Sequence, residues 1–87
     1  MLFMDIWTWE PKKRDEMAKR AAEWKCPEGM KELGHWYDLT GNRVFYLYEV
    51  EDPAVVLEAS NCWTDIATCE SVPVMAMEDV MKLMAEA

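Results

Sequence analysis

Four prolines divide this chain into short pieces, and each stands where regular structure has to stop or start. Proline has no N–H and holds φ near −65°, so it suits a first helical turn or a strand end and breaks most other positions. Glu10-Pro11 ends an apolar and aromatic run over 2–9, which reads as a strand, and opens a helix. Cys26-Pro27-Glu28-Gly29 closes that helix, with the glycine permitting a reversal. Asp52-Pro53 places an N-cap before a proline at the first helical position. Pro73 confines the last strand to a sheet edge or to its own end.

Periodicity fills in the pieces. Over 12–25, Met17, Ala18, Ala21, Ala22 and Trp24 share one face while Lys13, Asp15, Glu16, Lys19, Arg20 and Glu23 cover the rest, the pattern of an amphipathic helix. Segments 31–38 and 43–50 are β-rich and are joined by Leu39-Thr40-Gly41-Asn42, which predicts a hairpin. Val56, Ala59 and Trp63 share a helical face after Asp52, with the helix ending near 61–64. Residues 66–75 read as a fourth strand, and Met77, Val80, Met81 and Met84 as the stripe of a short helix over 77–87. The order βαββαβ plus a trailing helix predicts an α+β, ferredoxin-like domain spanning 1–87, an antiparallel sheet with both main helices on one face.

That arrangement leaves one sheet face uncovered. A chain of this mass would expose about 5,300 Å² folded against about 14,800 Å² unfolded, burying only about 64% of its surface. Four strands also present an apolar patch of several hundred Å², the limit for a soluble monomer. A homodimer closed face to face is therefore expected.

Nine basic against seventeen acidic residues give a net charge of −8, which repels a phosphate backbone and an anionic membrane surface, so neither nucleic acid nor membrane is an expected partner. The basic run Lys12-Lys13-Arg14 is followed at once by Asp15-Glu16 and reads as a solvated helix start. No segment has the roughly 18 apolar residues of a membrane span, and residues 1–10 lack a leader's basic and apolar regions, so the expected location is cytoplasmic. Cys26, Cys62 and Cys69 match neither a disulfide framework nor a CxxC site, and there is one histidine, so free thiols, no metal and no cofactor are expected.

A joint set of motifs runs along the chain: the opening MLFM, Pro27-Glu28-Gly29, Trp36 with Asp38, the phased Phe45, Leu47 and Glu49, Trp63-Thr64-Asp65, and Glu70 with Val72-Pro73-Val74. Together they resemble a family of short, about 90-residue prokaryotic proteins known only as a domain of unknown function. The resemblance implies the dimeric α+β barrel superfamily, in which two ferredoxin-like sheets pack face to face, and it implies no reaction. Tyr46 and Tyr48 stand where that family commonly has glutamine and methionine, and Trp7 and Trp9 enrich strand one, so any pocket should be more aromatic than is usual there.

Strand parity sorts the candidate site residues. Phe3, Asp5, Trp7 and Trp9 share one face of strand one; Leu2, Met4 and Ile6 share the other, which is aliphatic and suits packing on the helices. The expectation is that Asp5 and Trp7, with His35, Tyr37, Tyr46 and Tyr48 from the hairpin, gather on the open face. There His35 would serve as proton acceptor with Asp5 orienting it, Trp7 as an apolar wall, and the tyrosines as stacking surfaces for an aromatic ligand. Glu49, Asp65 and Glu70 are weaker carboxylate candidates, Asp65 doubling as a turn residue. No GxSxG, HExxH, P-loop or dinucleotide fingerprint occurs, and three glycines leave little for a phosphate cradle. Two functions fit: non-catalytic binding of a small hydrophobic or aromatic ligand or an interaction role, and, by fold analogy alone, a cofactor-free monooxygenase of the antibiotic-biosynthesis type. A cavity above about 300 Å³ faced by Asp5 and His35 would favour a pocket over a dry interface.

Overall fold

The computed structural model covers residues 1–87 and contains one four-stranded antiparallel sheet and three α-helices. The strands are β1 (Leu2–Thr8), β2 (Met30–Tyr37), β3 (Arg43–Val50) and β4 (Thr68–Pro73), in the spatial order β2-β3-β1-β4. The helices are α1 (Arg14–Glu23), α2 (Pro53–Asn61) and α3 (Met77–Glu86), with a 3-10 turn over Pro11–Lys13 leading into α1. This arrangement is compatible with a ferredoxin-like fold.

Local chemistry accounts for most boundaries. Asp52 accepts from the Ala54 amide at 2.9 Å, capping α2 ahead of Pro53. The hairpin turn uses Gly41 at φ 99° and Asn42 at φ 65°, residues that tolerate the left-handed region. Asp38 braces it by accepting from the Thr40 amide at 2.9 Å and hydroxyl at 2.7 Å, and by pairing with Arg43 at 3.0 Å. Helix α1 is shorter than periodicity predicts: Trp24 is already extended at ψ 133°, so this ring leaves the helix and turns toward the sheet.

Register shows which side each strand face takes. Asp5 stands opposite Tyr46 on β3 and Ser71 on β4, while Met4 stands opposite Leu47 and Val72. The core cluster of Met30, Tyr46, Tyr48 and Val50 packs against Val55, Val56 and Ala59 of α2, so the Asp5 and tyrosine face is the one the helices cover. The aliphatic face of Leu2, Met4 and Ile6, with Phe45, Leu47 and Val72, is the open one. This reverses the expectation that the aliphatic side packs on the helices. Both faces of this sheet are apolar, so alternation paired the residues correctly but carried no sign for the side.

A register shift between Glu32 and Gly34 makes Leu33 an extra residue in β2. Glu32 thereby falls opposite Tyr48 and His35 opposite Tyr46, both on the helix side, so simple strand parity does not carry across Leu33. Beyond the bulge, Trp36 on the open face folds back over Gly34, where a Cβ would lie 2.0 Å from its ring. Only glycine accommodates that overlap. Helix α3 presents Met77, Met81, Leu83 and Met84 at 57–71% exposure.

Candidate functional site: a cleft between sheet and helices

Helix α1 stands off the sheet. Met17 is its one buried residue, while Ala18 and Ala21, on the same face, border a cleft of about 510 Å³ between α1, α2 and the strands. Small side chains at these two positions are what keep the space from filling. The floor is built by β1, β2 and β3, the walls by α1, α2 and the turns that follow them, and 13 of the 18 lining residues are hydrophobic, so the interior is apolar with a few fixed polar groups.

The main polar group on the floor is Asp5, mid-strand and only 5% exposed. Its Oδ1 accepts from the Tyr48 hydroxyl at 2.9 Å and from the Ser71 hydroxyl at 2.6 Å, and Oδ2 accepts from no protein group. Burial, reinforced by the adjoining Asp5 charge, raises the Tyr48 phenol above its ordinary range and keeps it a donor. Burial likewise raises Tyr46, whose hydroxyl has only soft partners, Cys26 Sγ at 3.6 Å and Met30 Sδ at 3.9 Å. On β4, desolvation and the Asp5 charge push the Cys69 thiol up to about 11, which favours its protonated form.

Aromatic rings form the walls. Trp24 and Trp63 meet edge-on with centroids 5.9 Å apart and planes at 61°; Trp7 lies 6.4 Å from Trp63, and Tyr46 lies 6.5 Å from Trp24 at 85°. Farther along, Trp9 and Tyr37 are 6.2 Å apart, and Trp9 Nε1 is a buried donor with no partner.

Of the six residues singled out from sequence, Asp5, Trp7, His35, Tyr37 and Tyr46 line this one cleft, on the helix side of the sheet and not on the open face. Tyr48 is fully buried beneath it, stacked on Phe3 at 5.8 Å, and acts through Asp5. The expected pairing of Asp5 with His35 does not occur. Tyr46 stands between them in register, two strand spacings or about 10 Å apart. His35 instead packs edge-on against Tyr46 at 5.0 Å, and Glu32 is its carboxylate neighbour at 4.0 Å. Glu49 and Glu70 lie on the opposite sheet face, opposite Leu2 and Ile6. Asp65 is a structural partner: both its oxygens accept from Arg20, at 2.7 and 2.8 Å, and the guanidinium holds this carboxyl below the usual range.

Trp24, Trp63 and Met17 were visible in the sequence only as helix-stripe residues, and Arg20 as solvated charge. No local signal marks them as cleft residues, because the aromatic pair is 39 positions apart and meets only when α1 and α2 share a sheet face. No grouping of three or more His, Cys, Asp and Glu has metal-site geometry.

No curated protein and no solved structure matches this sequence or fold significantly. A family match covers the entire chain, residues 1–87, in agreement with the resemblance carried by its motifs, and the chain belongs to the family described as a domain of unknown function, DUF3303.

Proposed function

We propose that this protein binds a small, largely apolar or aromatic molecule in the cleft beneath α1 and α2, without transforming it. The observation that carries this reading is the coexistence of about 510 Å³ of space with walls of tryptophan and tyrosine and one buried carboxylate. The rings meet one another edge-on, and the small Ala18 and Ala21 side chains leave the space between α1 and the sheet unfilled. The monooxygenase alternative draws less support, because its imidazole sits at the rim and lacks the Asp5 partner it would use.

The same reading includes a homodimer closed through the open sheet face. The accessible surface is 6489 Å², about 1,200 Å² above the 5,300 Å² expected for a compact monomer of this mass. Only 7 of 87 residues are buried, which is too little core for an isolated chain. An interface of standard size removes about 800 Å² per partner, which the aliphatic face and the exposed α3 stripe can supply. The superfamily implied by the sequence motifs pairs its sheets in this way.

Native mass spectrometry of protein purified from its own host tests the function. A retained small molecule, lost when Trp24 and Trp63 are replaced by leucine, supports binding. A bound species released with added oxygen would favour the monooxygenase alternative. No retained molecule, together with no quenching of tryptophan fluorescence by aromatic probes, would overturn the cleft as a site.

A further inference from the structure

We infer that the cleft selects a cationic ligand, an organic amine with an apolar or aromatic body, its charged head held between Asp5 and the tryptophan box. The inference rests on the cleft being a binding site, and it adds the chemistry of the occupant.

Asp5 is the first support. A carboxylate taken out of water needs a counter-charge or a full set of donors. Asp5 has two hydroxyl donors, both on Oδ1, and no lysine, arginine or histidine within ion-pair distance. Arg14, the basic residue bordering the cleft, is directed to solvent and to Asp15 at 3.7 Å. Both donors thus fall on Oδ1, and Oδ2 has no hydroxyl, amide or cation of the protein as a partner.

Ring geometry is the second. Trp7, Trp24, Trp63 and Tyr46 all line the cleft and meet their neighbours at 55° to 85° with centroids 5.9 to 6.5 Å apart, an edge-to-face cluster on one side of the space. Tyr46 is the direct cross-strand neighbour of Asp5, and Trp7 is the next residue on its face. Inclined aromatic faces around a carboxylate attract a quaternary or protonated amine through the ring quadrupole, whereas a neutral ligand would satisfy the walls and leave Asp5 unpaired. The net charge of −8 draws cations toward the same cleft.

The test uses a charged and a neutral molecule of nearly identical shape, phenyltrimethylammonium and tert-butylbenzene, titrated against the whole protein by tryptophan fluorescence. The expected result is at least tenfold tighter binding of the cation, with Asp5→Asn, whose amide oxygen still accepts from Tyr48 and Ser71, reducing the ratio to near one while tert-butylbenzene binding stays unchanged. Trp24→Leu should weaken the cation more than the hydrocarbon. Equal binding of the two molecules by the parent protein would overturn the cationic inference and leave the cleft standing as a neutral site. Binding of neither would remove both.

Discussion

Arg20 of α1 grips Asp65 with both ends of its guanidinium, at 2.7 and 2.8 Å, and also donates to the Cys62 carbonyl at 2.9 Å. These bonds tie the helix that stands off the sheet to the turn that carries Trp63. The pair is exposed and adds little to global stability, but it is a direct link between α1 and the turn whose Trp63 lines the cleft.

Replacing Arg20 by alanine should therefore raise amide hydrogen exchange across 14–23 and weaken binding of an aromatic probe, while melting is nearly unchanged. A loss of melting temperature without a change in α1 exchange would place the pair's role elsewhere.

The pH dependence of that latch follows from Asp65, whose folded value lies below its ordinary 3.8. A depressed carboxyl stabilises the fold above its unfolded value, and the contribution is lost as pH falls through the folded one. α1 exchange should thus stay low from neutral pH to about pH 4 and rise below it. In Arg20→Ala, that acid limb should disappear from α1 while Asp38, also lowered by its Thr40 hydrogen bonds, keeps its own effect at the hairpin.

Tyr48→Phe deletes one of the two donors to a buried carboxylate. Urea unfolding should report a loss of about 1–3 kcal/mol, the cost of leaving a buried acceptor short of a partner. A neutral outcome would mean that Ser71 alone satisfies Asp5.

Gly34→Ala should expel the Trp36 ring from the open face, since the added carbon would meet it at 2.0 Å. Because that ring is 51% exposed and can swing away, the expected signature is a shift in tryptophan emission with only modest destabilisation. In a Trp36→Ala background the same substitution should be close to silent, a coupling that a double-mutant cycle measures.

Light scattering should give about twice the chain mass of 10.2 kDa, with melting that rises with concentration. Leu47→Lys, at the centre of the aliphatic face and opposite Met4, should yield monomers. A parent protein that is monomeric at micromolar concentration would refute the dimer.

How much of this was legible in the chain differs from element to element. Segment 43–50 emerged as β3 with its predicted limits, because alternation and a four-residue turn are local properties, and Asp52-Pro53 capped α2 for the same reason. The pairing of Asp5 with Trp7 on one face was equally local. Which side that face takes was not, because the helices' side follows from the handedness of the strand–helix–strand crossovers and the strand order, and neither is encoded within any one strand. Leu33 shows the second limit: one bulged residue reset the phase of β2 and put Glu32 and His35 on the same side although they are three positions apart. The cleft itself belongs to tertiary structure alone. Arg20 and Asp65 are 45 residues apart, and so remote a pair can meet only after the sheet has brought α1 and the turn beyond α2 to its common face.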